Sequence, residues 1–103
     1  MKYVLCFTTI NNAKIAESLA RELVQSKIVA CVNILPQMTS IYSWKNKIES
    51  DHEYLLIMKT KKSLVKKLEK ELIQKHPYEL PEFVVLPIEG SKKYLDWISK
   101  STA

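Results

Sequence analysis

Few side chains in this sequence could do chemistry beyond packing. They include two cysteines, Cys6 and Cys31, two histidines, His52 and His76, and one arginine, Arg21. No Walker phosphate loop, nucleophile elbow, HExxH or CxxC motif occurs, so the common signatures of hydrolases, phosphate binders and zinc sites are missing. These residue types and motifs therefore give no support to a self-contained active site.

The cysteine and histidine side chains each have a structural interpretation beside a ligating one. Cys6 lies in an apolar run, where a free thiol is commonly a buried packing group. His76 falls at the end of a predicted helix, where the helix dipole favours an imidazole. His52 is expected to face solvent. A thiolate with an imidazole would suit copper or zinc ions, so both interpretations stay open.

A second set of side chains combines polar and aromatic character. Such residues could line a cleft between subunits, because ligand pockets often lie at interfaces. Tyrosine and tryptophan are also favoured in plain interface packing, which is the alternative. The set consists of Tyr42, Trp44, Lys59, Tyr78 and Glu82.

The first elements follow from hydrophobic periodicity. The continuous β-favouring run at residues 3–9 predicts a central strand buried on both faces. The pair Asn11-Asn12 then breaks the run and offers a helix N-cap, because apolar residues recur after it at helical spacing. Those apolar residues are Ala16, Leu19, Ala20, Leu23 and Val24.

A long hairpin is expected in the middle of the chain. Residues 28–35 are apolar and β-branched, Pro36 indicates a bulge or bend, and residues 40–44 resume strand character. A turn centred on Asn46, which can take a positive φ, leads to a third strand at residues 53–60. Within it, Glu53 could pair with a lysine across the strands, Lys45 or Lys59, and such a surface ion pair contributes little.

The remaining chain predicts a helix, a strand and a short helix. Ser63 can cap the second helix and Pro77 ends it. Residues 83–86 predict a fourth strand that ends at Pro87, and Ser91 can cap the last helix. The lysine-rich face of the second helix is interpreted as a solvated surface.

The order β-α-β-β-α-β, with an extra C-terminal helix and a long β-hairpin, is the ferredoxin-like α+β arrangement. Its length of 103 residues fits a single domain over 1–103. Right-handed crossovers place both helices on one face of an antiparallel sheet, with the first strand between the third and the fourth. Cys6 and Cys31 then lie on non-adjacent strands, so no disulfide is expected. Exposed strand edges of the hairpin must be covered, which predicts a closed oligomer.

The charge balance bears on possible partners. Sixteen basic against eleven acidic residues give a formal charge of +5. Nucleic-acid readers rely on arginine for its planar fork, yet Arg21 is the only one, and residues 51–60 lack the Lys/Arg-Gly-aromatic signature of RNA-recognition strands. An acylphosphatase-like phosphate cradle is excluded too, because Arg21 lies in a predicted helix and no glycine precedes Gly90. Nucleic acid is therefore not expected as a partner.

The cellular location is predicted from apolar runs and thiols. No run approaches the ~20 apolar residues of a membrane span, and the short run after Lys2 does not form a signal peptide. Two cysteines in such a chain indicate a reducing compartment. We expect a cytoplasmic protein that does not use a membrane.

Five segments together resemble the CutA family of divalent-cation-tolerance proteins. The ACVN, YxW, KT and HPYExPE elements occur in that family's order and spacing, and the resemblance covers nearly the whole chain. It implies a homotrimer of ferredoxin-like subunits, similar in shape to PII signalling proteins, with copper or other divalent ions bound and no established catalysis. Asn46 and Lys27 stand where the family usually has glycine or another small residue. The segments are residues 28–34, 40–45, 53–60, 76–82 and 94–98.

The same resemblance implies a metal site. Cys6 matches a copper-ligating cysteine of bacterial relatives, and His76 matches the second histidine of a ligating pair. Lys75 replaces the first histidine, and a protonated lysine is a poor ligand. Glu82, or a residue of another subunit, could supply the missing donor. The alternative function is a PII-like sensor that binds a small molecule in clefts between subunits.

Overall fold

The computed structural model describes residues 2–103 and contains four strands, three α-helices and one short 3-10 turn. Their bounds are β1 Tyr3–Ile10, α1 Ala13–Gln25, β2 Cys31–Trp44, β3 Lys47–Lys61, the 3-10 turn Lys62–Leu64, α2 Val65–Lys75, β4 Val84–Ile88 and α3 Lys92–Lys100. The strands form one antiparallel sheet in the order β2-β3-β1-β4. The predicted ferredoxin-like α+β fold, with its C-terminal helix and long hairpin, is confirmed.

The core lies between the sheet and helices α1 and α2. Successive strand residues point to opposite faces, and in β1 the side chains of Val4, Cys6 and Thr8 are buried on the helix side. Apolar side chains of both helices close this core, including Leu23 and Leu72. One side of the sheet is therefore dry within a single chain.

The other side of the sheet carries apolar residues that stay partly exposed. We call it the open face, and pairing across the strands aligns its members. The prediction that β1 is buried on both faces is therefore wrong for one chain, since only its helix side is buried. The open face consists of Leu5, Phe7, Leu35, Leu55, Ile57, Val84 and Leu86, with exposed fractions reaching 46% at Leu86.

Helix α1 is capped at both ends. The Asn12 side chain accepts a hydrogen bond from the Ile15 N–H at 3.0 Å, which confirms the predicted N-cap. At the other end the chain turns with Lys27 at a φ of 60°. The N–H of Lys27 donates to Val24 O, and that of Ile28 donates to Leu23 O. This is a Schellman motif, here built on a lysine where glycine is usual.

Replacing Lys27 by glycine is expected to raise the free energy of unfolding by about 0.5–1 kcal/mol, because an L-residue in the left-handed region costs about 1–2 kcal/mol and glycine recovers part of it. Lys27→Ala is the matched control, since it removes the same side chain but keeps the Cβ atom. Urea unfolding at a fixed protein concentration measures both. Equal stability of the two variants would contradict a strained Lys27.

The β2–β3 hairpin turns on two residues with positive φ, Lys45 at 50° and Asn46 at 65°. Both angles suit a type I′ turn, which matches the twist of a hairpin. Farther along, the pairing shifts by one residue between Leu35 and Met38, which confirms the bulge predicted at Pro36. The extra residue reverses the alternation of β2. Its even-numbered residues beyond the bulge consequently share a face with the odd-numbered residues of β3.

Several predicted boundaries differ from the structure. Ser63 does not cap α2, because it lies inside the 3-10 turn and the helix begins only after Leu64, without a side-chain cap. Pro77 does end α2, since His76, directly before the proline, is extended. Strand β4 continues through Pro87 to Ile88, as an edge strand can.

Both thiols are free, Cys6 buried and Cys31 partly exposed. Among residues 2–103, the helices are all too short or too polar to cross a bilayer.

Candidate functional site

A cavity of about 840 Å³ lies between the distal part of the β2–β3 hairpin and the segment that follows α2. Pairing of Ser40 with Asp51 and of Met38 with Glu53 puts even β2 residues and odd β3 residues on one face. The bulge at Pro36 thus brings aromatic residues of β2 and carboxylates of β3 to the same cavity. Its lining includes Tyr42, Trp44, Asp51, Glu53, Tyr78 and Glu82.

A chain of hydrogen bonds holds the post-α2 segment against the sheet. The imidazole Nε2–H of His76 donates to Thr9 O at 2.9 Å, and the Tyr78 N–H donates to His76 Nδ1 at 3.1 Å. The Tyr78 hydroxyl then donates to Glu53 Oε2 at 2.7 Å. The two rings meet edge to face at 4.7 Å. This connected series fixes one wall of the cavity relative to β1 and β3.

The titration of His76 and Tyr78 reflects this enclosure. Burial lowers the pKa of His76, opposed by the Thr9 carbonyl and the Glu53 charge. A neutral ring agrees with Nδ1 acting as an acceptor. Burial and the hydrogen bond to Glu53 raise the pKa of Tyr78, so its hydroxyl stays a donor at neutral pH.

Glu53 is the most enclosed acid of the cavity. Glu53 is 6% exposed, and its carboxylate accepts a hydrogen bond from the Tyr78 hydroxyl. The pairing of Glu53 with Lys45 or Lys59 that the sequence allows is not formed, since none of the ion pairs among residues 2–103 includes Glu53. The alternation of β3 places Glu53 inside the cavity rather than on a free surface.

The outer part of the cavity is formed by the hairpin arm. The Tyr42 hydroxyl donates to Asp51 Oδ2 across the strands, and this bond with burial raises the pKa of Tyr42 to about 12. At the tip, the Lys45 ammonium lies 5.6 Å from the centre of the Trp44 ring, within range of a cation–π contact. Burial and the neighbouring Glu53 charge raise the pKa of Glu82. The cavity therefore combines aromatic walls with several carboxylates.

Of the predicted cleft residues, the structure brings Tyr42, Trp44, Tyr78 and Glu82 to this cavity. Lys59 lies elsewhere, with its ammonium 3.2 Å from the Tyr94 hydroxyl of α3 and above that ring. Within one chain Lys59 is thus an anchor of the C-terminal helix.

The three predicted metal donors are not brought together. Cys6 is fully buried on the helix side, where burial raises the pKa of its thiol to about 11. Thr9, the partner of His76, lies three residues farther along β1, about 10 Å away. Glu82 belongs to the cavity on the opposite side of the sheet.

These donors do not fit a shared metal ion in this conformation. Both ring nitrogens of His76 are already engaged, and the Cys6 thiol is protonated at neutral pH. Among residues 2–103, no cluster of three or more His, Cys, Asp or Glu side chains is arranged to hold an ion. The ligand set of Cys6, His76 and Glu82 therefore stays a prediction.

Two cavity acids, Asp51 and Glu53, were not recognised as site residues from the sequence. The period-2 alternation of β3 puts both on one face, which is a usable signal. Their meeting with Tyr42 and Tyr78 depends on the bulge and on the path of the post-α2 segment, which carry no such periodic signal.

A family model described as CutA1 divalent ion tolerance protein matches residues 4–101. Protein CutA of Mus musculus is 46% identical over 97 residues, covering 93% of this chain and 55% of that protein. The divalent-cation tolerance protein CutA of Thermus thermophilus is 42% identical over 95 residues, covering 91% and 92%. This chain spans about half the length of several curated relatives it matches, including those of Mus musculus and Arabidopsis thaliana.

The same similarity holds in three dimensions. A solved structure of the divalent cation tolerance protein of Thermus thermophilus superposes with a TM-score of 0.95 at 39% identity, covering 98% of this chain and 99% of that one. Agreement over nearly both full chains extends to the hairpin and the terminal helix.

Proposed function

The chain belongs to the CutA family of divalent ion tolerance proteins, and from that premise we propose that it is a non-enzymatic homotrimer that takes part in the tolerance of divalent cations, copper among them. The proposed subunit is one domain over residues 1–103. The observation that carries the proposal is the family match over residues 4–101. Two unpaired thiols support a reducing, cytoplasmic location.

The proposed trimer is supported by the open face of the sheet. Leu35, Val84 and Leu86 are each more than 40% exposed, and contiguous apolar patches of this kind mark interaction sites. Strand β2, fourteen residues long, is also an edge strand of the described sheet, so the backbone groups on its outer side do not pair with another strand of this chain. A threefold arrangement would cover both features in three equivalent contacts.

Copper ligation by Cys6, His76 and Glu82 is part of the proposal. With these residues placed as they are, binding would require local opening around Cys6 or donors from another subunit. Lys75 does not supply a donor, because its ammonium is paired with Glu22 and Glu71, and these contacts raise its pKa.

Copper affinity should fall at least about tenfold in Cys6→Ala and in His76→Gln, since even loss of an outer-shell partner typically costs 10–100-fold. Cys31→Ala and His52→Gln are matched controls that remove the same groups at other positions. Native mass spectrometry with and without Cu(II), followed by titration, measures both assembly and affinity. Equal affinity in all four variants would remove the proposed ligands, and a monomeric mass would remove the trimer.

A second candidate function is a PII-like sensor that binds a small molecule. It is favoured by the cavity of about 840 Å³, which lies in the volume range of ligand sites. In the proposed trimer this cavity would become part of a cleft between subunits. A metabolite that raises the melting temperature would support it, and the absence of any such compound would count against it.

A further inference from the structure

Within one subunit, Glu53 is a buried carboxylate without a paired positive charge. A buried carboxylate normally needs a paired charge, because removal from water is costly. Glu53 is 6% exposed and receives one hydrogen bond from Tyr78. Within the part of the chain that the structure describes, no cation lies within ion-pair distance of it. Glu53 also lines the cavity, which would be part of a cleft between subunits in the proposed trimer. Its counter-charge therefore has to come from outside the subunit, and a ligand bound in that cleft can supply it.

The net charge of the cavity lining also favours a positively charged ligand. Its lining contains four carboxylates, Asp51, Glu53, Glu79 and Glu82, and a single basic residue, Lys45. The chain as a whole is basic, with sixteen Lys and Arg against eleven Asp and Glu. A concave, acidic site on a basic protein focuses the potential and attracts positive ligands selectively.

The aromatic wall is suited to an ammonium group. Trp44 and Tyr42 both line the cavity, and Trp rings are the strongest cation–π partners. The Lys45 ammonium already lies over the Trp44 ring, 5.6 Å from its centre. This side chain shows that the ring face accepts an ammonium at the rim of the cavity. A ligand amine could take its place or lie deeper, towards Glu53.

A bare metal ion fits this cavity less well than an organic cation. Metal sites need ligands that converge within 2.0–2.6 Å of one point, and no such group is found over residues 2–103. The carboxylates are instead distributed around about 840 Å³, with aromatic surface between them. That spacing suits a cation that carries separated charges on an apolar skeleton.

We infer that the cavity binds an organic cation with one or more ammonium groups, of the aliphatic diamine class, with the Glu53 carboxylate as counter-ion and the Trp44 ring as apolar wall. The inference rests on the second candidate function, small-molecule binding, and names its ligand class. The Tyr78 hydroxyl donates a hydrogen bond to the Glu53 carboxylate and so fixes its orientation at the cavity.

The experiment is calorimetric titration of the intact protein, in whatever assembly it adopts, with 1,5-diaminopentane at low ionic strength. We expect binding and a raised melting temperature. Affinity should fall at least about tenfold in Glu53→Gln and in Trp44→Leu, as expected for loss of a charge-assisted contact or of the aromatic wall. Glu69→Gln is the matched control, since it lies exposed on α2 and outside the cavity lining, and it should change affinity less than about twofold.

Three comparisons decide the result. Neutral 1,5-pentanediol has the same skeleton without charge and should not bind. Absence of diamine binding at about 10 mM, where even a millimolar site is mostly filled, would overturn the inference, and so would equal binding of the diol. Binding of Mn²⁺ or Cu²⁺ that depends on Glu53, without binding of the diamine, would replace it by a metal site.

The variants also separate folding from binding. Trp44 lies on the hairpin arm rather than in the core, so Trp44→Leu remains informative if Glu53→Gln fails to fold. Failure of the diamine while a neutral metabolite binds would leave the sensor function intact and remove only the ligand class. The mass and copper measurements on the trimer are independent of both outcomes.

Discussion

Leu86→Glu is expected to convert the proposed trimer into a folded monomer. Leu86 is 46% exposed in one chain and lies in the centre of β4, opposite Leu5 on the open face. In a trimer that buries this face, the new carboxylate would lose water without a partner, which costs about 3–5 kcal/mol per contact. Each 1.4 kcal/mol is a factor of ten in an equilibrium constant, so assembly should require a protein concentration at least about a hundredfold higher.

Ile73→Glu provides the control for charge and exposure. Ile73 is 51% exposed but lies on α2, on the other side of the sheet from the open face. Its variant should keep the trimer mass and a melting temperature close to that of the original protein. Native mass spectrometry and light scattering across micromolar concentrations distinguish the two variants. An unchanged trimer in Leu86→Glu would show that subunits meet elsewhere.

The elements that the sequence predicts well are those set by local chemistry. Apolar residues recur at helical spacing after Asn12, and its side chain can accept a hydrogen bond from a backbone N–H of the first turn. These two features are enough to predict the start of α1. Asn46 tolerates positive φ between two β-favouring runs, which is enough to place the hairpin turn. Both features depend on residues within a few positions of each other.

The features that escaped prediction depend on contacts between distant segments. Glu53 is enclosed by Tyr78, twenty-five residues later, and no periodic pattern relates the two. Ser63 has the right residue type for an N-cap, but it lies inside a 3-10 turn, so α2 begins one residue later than predicted, after Leu64. Lys27 is a different case, because the C-cap of α1 places it in a left-handed conformation that its residue type disfavours.

The sequence predicts which residue types form the candidate site, but not which of those residues meet in space. Tyr42, Trp44, Tyr78 and Glu82 do meet at one cavity, although they come from two separated segments. Lys59 does not join them, since its position on β3 places it beside α3. Sequence reasoning named suitable chemical types, and the bulge and the post-α2 segment decided which of them came together.

Thr8→Val and Thr60→Val are expected to change stability in opposite directions, although both replace a fully buried threonine by an isosteric residue. The Thr60 hydroxyl donates to Ile28 O at 2.6 Å, which joins β3 to the segment before β2. The Thr8 hydroxyl has no hydrogen-bond partner among residues 2–103. Leaving a buried polar group unsatisfied costs about 1–3 kcal/mol. Thr60→Val should therefore destabilise by about that amount, whereas Thr8→Val should stabilise by about 1 kcal/mol.

Urea unfolding at one fixed protein concentration tests the pair, because assembly makes stability depend on concentration. The two variants share the change in size, polarity and β-propensity, so their difference isolates the hydrogen bond. Destabilisation of both would mean that the Thr8 hydroxyl is satisfied by a buried water. In that case a water molecule would lie on the helix side of β1, beside the Thr8 hydroxyl. It would be close to the Thr9 carbonyl that accepts the hydrogen bond from His76.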